Sequence, residues 1–186
     1  MTMRPTAYSS RTLTGSLLRV CSAAAVIPPL SALEIRLCST FALLHDVGKR
    51  AIPPEILSKP GSLTKEEFEV MKSHTTQGCK LLERIPELRE CEAFTAICDV
   101  CRHHHERWDG SGYPDRLAGD SITPWVQVVG MADAFDALVH PRVYKPAFTQ
   151  EQARDMIVSG ACGIFDPLLL ACFAQYIGAI CQTVYA

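Results

Sequence analysis

The chain has no surplus of charge of either sign. Its 18 Lys and Arg stand against 20 Asp and Glu, a net charge of −2, so no broad basic surface selects a nucleic-acid polymer as partner. It also has no membrane-length apolar run near its start, because Leu17 to Leu30 is divided by Arg19 and by Pro28-Pro29. Its nine cysteines are odd in number and irregularly spaced, which argues against a disulfide framework and for buried thiols in a reducing, cytoplasmic compartment. No segment alternates with period two and no internal repeat is visible, so the expected fold is all-α, one domain with short loops. Residues 1 to 33 contain no acidic residue, and no histidine precedes His45. Arg4, Arg11 and Arg19 among Ser and Thr mimic an export or transit sequence, but Arg19 interrupts its apolar core. A poorly specified first helix over residues 9 to 26, stopped by the prolines, is the plainer reading.

What the chain does have is a set of helix signals. At 186 residues it can bury a sizeable core. Ser31-Ala32-Leu33-Glu34 is a capping box, and the apolar segment that follows to Leu44 predicts a buried central helix with His45 and Asp46 at its end. Gly48 can stop that helix, and Pro53-Pro54 starts a short one. Thr64 to Glu67 caps a helix with Phe68 and Met71 inward, and His74 should share their face. Gly78 and Pro86 bracket a further short helix. Phe94, Ile97, Cys98, Cys101 and His105 continue a buried stripe into the run His103-His104-His105. After a loop rich in glycine and proline, Thr123-Pro124 opens a helix through Leu138 that presents Asp133 and Asp136. Thr149 caps another that Gly160 ends, and Pro167 to Val184 closes the core.

Singly, an inward histidine such as His74 is more often a hydrogen-bonded core residue, and a histidine triplet can be a solvated helix end. Taken together, His45, Asp46, His74, His104, His105 and Asp133 would be costly to bury without a metal to satisfy them. Mixed nitrogen and oxygen donors suit iron, manganese or zinc, and a carboxylate such as Asp46 can bridge two ions. Two ions roughly 3.5 to 4 Å apart can activate water and clamp an in-line displacement at phosphorus. Lys49 would then face phosphate oxygens. Cys98 and Cys101 read as packing, His103 as an exposed extra residue, and Asp136 as a structural carboxylate.

These residues also carry a resemblance. His45-Asp46-Val47-Gly48-Lys49 resembles the HD motif of the HD phosphohydrolase superfamily, and His104-His105-Glu106-Arg107-Trp108-Asp109-Gly110-Ser111-Gly112-Tyr113-Pro114 resembles the hallmark of its HD-GYP branch. The likeness runs from about Ser31 to the end, leaving residues 1–30 as a poorly specified segment or degenerate first helix and 31–186 as the HD-GYP domain. It implies a single bundle of about seven helices around a metal centre. Its activity would be metal-dependent hydrolysis of cyclic di-GMP to pGpG and GMP.

The resemblance assigns His45, Asp46, His74, His104, His105 and Asp133 as ligands of two divalent ions, iron or manganese, with Asp46 as bridge. Asp46 and Lys49 are the implied catalytic residues, while Lys49, Gly112, Tyr113, Pro114, Arg142 and Lys145 bind substrate. The implied partners are cyclic di-GMP, bacterial signalling proteins and a second copy of the chain. The departure lies at the front, where the family's first helix supplies a further histidine. Leu13, or on another alignment Tyr8, stands in its place, so one ion keeps His45, Asp46 and Asp133 but loses a partner, and a third ion is not expected. The alternative expectation is therefore an impaired module that binds cyclic di-GMP or a protein. Another is a general HD phosphohydrolase acting on a different nucleotide. Roughly thirty residues ahead of the HD region are too few for a receiver or sensor domain, so a stand-alone protein or a fragment is expected.

Overall fold

Four helix starts follow from local chemistry. Ser31, Thr64 and Thr149 each accept a hydrogen bond from the backbone N–H three residues on, while Glu34, Glu67 and Gln152 reach back to the cap's own N–H. Each box satisfies two donors that a helix start leaves orphaned. Asp166 accepts from the N–H groups of Leu168 and Leu169 at 2.7 and 2.9 Å, with Pro167 placed where no donor is required. A computed structural model of the chain describes residues 6–141 and 147–185. Its α-helices are α1 (Thr6–Ala23), α2 (Ala32–Phe41), α3 (Pro54–Leu57), α4 (Lys65–Lys72), α5 (His74–Leu82), α6 (Pro86–Arg89), α7 (Phe94–His103), α8 (Pro124–Val139), α9 (Gln150–Val158) and α10 (Pro167–Val184). Tight 3-10 turns cover Ala42–Leu44, Val47–Ala51 and Gly119–Ser121. The described residues contain no strand beyond an isolated bridge between Asp109 and Ala118. The all-α expectation holds, and the segments outnumber seven because α3 and α6 are single turns and α4 and α5 meet at Ser73.

The central helix is α8, not α2 as the apolar pattern suggested. One side of α8, with Val128, Met131, Ala132 and Phe135, joins a core built with Leu13, Leu17 and Leu18 of α1 and Phe173 and Ile177 of α10. The other side, with Val126 and Val129, packs against Val100 of α7 and Ala42. By contrast α2 buries only Ile35, Ser39 and Phe41, leaving Leu33 and Leu37 at the surface. Its apolar residues run all round, but neighbours cover only one side.

The first helix belongs to this same core. Leu13 is fully buried, and removing such a side chain costs about 2–5 kcal/mol. Phe135 and Phe173 meet edge to face at 5.7 Å, a contact that adds about 0.5–1.5 kcal/mol to their burial. By length and composition α10 alone among the described helices could cross a membrane. Here its Leu169, Cys172, Phe173, Ile177 and Cys181 are covered by protein. All nine cysteines are free thiols. Cys101 is fully buried with its Sγ 3.5 Å from the His45 carbonyl, and Cys98 is half-buried, in keeping with a packing role for both.

Candidate metal centre

The His45-Asp46 pair sits where α2, tightened through Ala42–Leu44, gives way to the 3-10 turn at Val47–Ala51. That turn lies directly on α5. A Cβ on Gly48 would stand 1.8 Å from the His74 carbonyl oxygen and 2.5 Å from the Gly78 nitrogen, so only glycine permits the approach. Gly78 therefore lies inside α5 rather than before it. The contact carries His74 to Asp46, while α7 ends at His103 and delivers His104 and His105 from the opposite side. Asp133 projects from α8.

Backbone carbonyls fix the orientation of three of these imidazoles. His74 donates from Nδ1 to the Met71 carbonyl at 2.8 Å, His104 from Nδ1 to the Cys101 carbonyl at 3.0 Å, and His45 from Nδ1 to the Ala42 carbonyl. A carbonyl oxygen can only accept, so the proton belongs on Nδ1 and the Nε2 lone pair of the neutral ring points inward. His74 Nε2 and His104 Nε2 are 3.4 Å apart, and they stand 3.4 and 4.0 Å from Asp46 Oδ1. His45 Nε2 lies 3.3 Å from Asp46 Oδ2 and 3.4 Å from Asp133 Oδ1. The His105 ring lies tilted against His104, with ring centroids 4.1 Å apart. Two ligand triads result, His45-Asp46-His104 and His74-His104-His105, each with its donor atoms within 4.8 Å of one another. All six residues named from the sequence are brought together.

Two buried atoms at the centre, His45 Nε2 and Asp46 Oδ1, have no hydrogen-bond partner. Inward lone pairs facing carboxylate oxygens repel unless a cation lies between them, so this donor set fits a metal ion. The protonation tendencies agree. Burial and the neighbouring His105 and His45 keep His104 well below the ordinary histidine range, burial takes His105 down to about 3, and burial also lowers His74. His45 is the exception: burial opposes its charge, but the carboxylates of Asp46 and Asp133 hold it well above that range. Asp46 and Asp133 are held low against the cost of burial, chiefly by His45.

The loop after His105 is pinned by residues the sequence reading passed over. Glu106 is buried and accepts from the Asp115 and Leu117 N–H groups at 2.7 and 3.0 Å. Arg107 donates from Nε to the Cys162 carbonyl and from a terminal nitrogen to the carbonyls of His104 and Glu106, with its guanidinium 4.8 Å above the Phe165 ring. The available signal was a Glu-Arg pair, charged yet adjacent to ligands, in a segment otherwise made of turn residues. A Cβ on Gly112 would fall 2.4 to 2.6 Å from backbone atoms of residues 105–107, so glycine lets the loop fold back. Tyr113, followed by Pro114 across a cis peptide bond, stacks on His105 with ring centroids 4.7 Å apart. Lys49 holds Asp46 Oδ2 at 2.5 Å with its side chain partly exposed.

Two expectations change. His103 is half-buried rather than exposed, bound by Asp99 at 2.7 Å and Asp115 at 2.9 Å. Phe68 faces outward, 47% exposed, because α4 is a short surface helix with no buried residue. Asp136 is tied to His140 and to the Tyr185 hydroxyl, in line with a structural role. Arg142 and Lys145 lie outside the described residues, as does the side chain of Tyr8.

The HD domain family model matches residues 4–169. This chain belongs to the HD domain family. The HD-GYP resemblance read from its motifs stands with that assignment. The chain is 44% identical over 140 residues, 75% of its length, to a cyclic di-GMP phosphodiesterase of Vibrio cholerae. It is 36% identical over 156 residues, 84% of its length, to a 3'3'-cGAMP-specific phosphodiesterase of the same organism. It spans 28% and 29% of those two relatives. Its fold matches an HDG"Y"P protein from Bdellovibrio bacteriovorus with a TM-score of 0.66 at 17% identity, covering 94% of this chain and 53% of that one.

Proposed function

We propose that this HD domain is a metal-dependent phosphodiesterase that hydrolyses cyclic di-GMP to pGpG and GMP, with water as nucleophile. The observation that carries the reading is the convergence of carbonyl-anchored imidazoles on both oxygens of Asp46, beside a Gly-Tyr-Pro loop. Relatives described as cyclic di-GMP phosphodiesterases support the substrate. His45, Asp46, His74, His104, His105 and Asp133 would hold two divalent ions, iron or manganese by their mixed donors, with Asp46 shared. Bound there, the ions supply Lewis-acid charge to the phosphoryl oxygens and acidify water.

The chain's own residues do the rest. Lys49 stands at the rim of the cluster, where a phosphate oxygen competes with Asp46 for its ammonium. Gly112 and Pro114 shape the loop that holds Tyr113, and Arg142 and Lys145 are proposed as phosphate contacts. Burial of the ligand rings keeps bulk water from competing with these charges. A cytoplasmic signalling role, with signalling proteins or a second copy as partners, belongs to the same proposal, and the free thiols are in keeping with it.

Chromatography of cyclic di-GMP incubated with the manganese-loaded protein should show pGpG and then GMP, abolished by chelator. Intact dinucleotide after incubation with folded, loaded protein overturns the hydrolytic reading. One observation favours a second reading, a receptor that binds cyclic di-GMP without turnover. Leu13 is fully buried in the apolar core and supplies no ligand at the front of the site. Saturable binding by calorimetry with no product selects that alternative.

A further inference from the structure

Two thiols that the metal centre does not use face each other across the core. Cys21 lies in the last turn of α1 and Cys172 in the second turn of α10. They are 151 residues apart in the chain, yet the Cys21 thiol donates to the Cys172 sulfur with the Sγ atoms 3.2 Å apart. Both belong to the apolar seam between the two helices. Leu13 and Leu17 precede Cys21 at four-residue spacing, Phe173 and Ile177 follow Cys172, and all six are in one buried cluster.

A thiol in such a seam can act as a small hydrophobe and nothing more. The separation of this pair gives it a second capacity. A disulfide bond is about 2.05 Å long, so closing the gap moves each sulfur by roughly 0.6 Å, a shift within reach of side-chain rotation. The two partners also differ in freedom. Cys172 is fixed near the start of α10, which the Asp166 cap and Pro167 hold. Cys21 stands where α1 gives way to a turn, with its carbonyl accepting from the Val26 N–H at 2.9 Å and Ala25 at a φ of 55°, and helix ends open more readily than helix middles. Burial, with the Cys172 thiol beside it, pushes the Cys21 thiol well up. The reactive thiolate is therefore scarce, and oxidation of the pair is slow.

We infer that Cys21 and Cys172 form an oxidation site, a dithiol that a peroxide converts into a disulfide stapling α1 to α10. Hydrogen peroxide oxidises one thiol to a sulfenic acid as its O–O bond breaks and one oxygen leaves as water. The second sulfur then attacks the first, the S–S bond forms, and the hydroxyl leaves as a second water with the attacking thiol's proton. Two thiols thus lose the two electrons that one peroxide gains. The inference is independent of the phosphodiesterase reading. The staple would fix α1, whose Leu13, Leu17 and Leu18 pack beneath α8, the helix that carries Asp133.

The test is exposure of the full chain to hydrogen peroxide, alkylation of the remaining thiols in denaturant, and peptide mapping by mass spectrometry. Chymotrypsin, cutting at Phe165, Phe173 and Tyr176, separates Cys172 from Cys162 and Cys181. The map should show a Cys21–Cys172 peptide lighter by two hydrogens, reversed by dithiothreitol and formed more slowly than the exposed Cys91 is oxidised. The melting temperature should rise by about 10 °C over the reduced protein, the scale for a cross-link closing so long a loop. Cys21→Ala and Cys172→Ala should each lose the cross-link and the rise, while Cys181→Ala, altered in the same core, should keep both. Cys21 and Cys172 recovered as alkylated thiols after peroxide has consumed Cys91 and been renewed for hours overturns the site. So does either sulfur found bridged to a different cysteine. The map of the unaltered chain decides even where an alanine variant does not fold.

Discussion

Three consecutive histidines begin at the last residue of α7, and they face two unlike regions. On the outer side, His103 has a carboxylate at each nitrogen, Asp99 and Asp115. Asp115 is also gripped by Arg102 at 2.5 and 2.7 Å, and Asp99 by the Thr123 hydroxyl at 2.7 Å. On the inner side, His104 has a backbone carbonyl at Nδ1, and its Nε2 faces the His74 imidazole and the Asp46 carboxylate. The outer region pairs its polar groups within the protein; the inner one leaves His45 Nε2 and Asp46 Oδ1 without a hydrogen-bond partner. Adjacent residues of one type thus separate into structure and chemistry by what occupies their second nitrogen.

The strongest way to break the contrast is to remove the carboxylate around which the inner region turns. Asp46→Asn should weaken manganese binding more than about 100-fold, beyond what loss of an outer hydrogen-bond partner costs, as measured by calorimetry or metal analysis after dialysis. In the unaltered protein, manganese should bind more tightly as pH rises, because the proton held by His45 above the ordinary histidine range must leave. An affinity that falls with pH would contradict that exchange.

Smaller effects test how the loop keeps the two regions apart. Glu106→Ala removes the acceptor of two partly buried N–H groups, and should cost about 1.5–3 kcal/mol in denaturant titration, the scale for bonds to a charged group. Gly112→Ala forces a Cβ into the backbone of residues 105–107, an overpacking of about 1–3 kcal/mol, with a lower melting temperature. A Glu106→Ala protein as stable as the parent would show that the loop is held elsewhere.

The smallest effect belongs to the outer region and is read by pH. Burial works against a charged His103, but Asp99 and Asp115 raise its pKa above the ordinary value, while Asp115 is held down to about 2, first by Arg102. The histidine's contribution is full below its unfolded pKa of about 6.5 and is lost as pH climbs through the higher folded value. Asp115 contributes above its unfolded pKa of about 3.9 and is lost as acid drives the pH toward 2. The melting temperature should therefore sag mildly above neutrality, by no more than about 1 kcal/mol in stability, and His103→Gln should remove the sag.

Local signals carried much of this into the sequence reading. Pro167–Val184 was placed to the residue by Asp166-Pro167, and the capping boxes at Ser31, Thr64 and Thr149 formed as expected. The six donors were legible because several buried imidazoles and carboxylates share one need. What periodicity cannot tell is which face of a helix finds a neighbour. The apolar runs of α2 and α8 look alike, yet only α8 is enclosed, and Phe68 sits at a helical spacing that suggested an inward side. Glu106 and His103 were missed for another reason: their partners, Asp115 and Leu117, arrive across a loop whose path no spacing rule fixes.

The Arg107 guanidinium is also a mechanical part. One flat, rigid group grips the carbonyls of His104 and Glu106 with one hand and that of Cys162 with another, and it rests on Phe165, just before α10 begins. The start of α10 and the imidazole-bearing end of α7 are thereby tethered through one side chain.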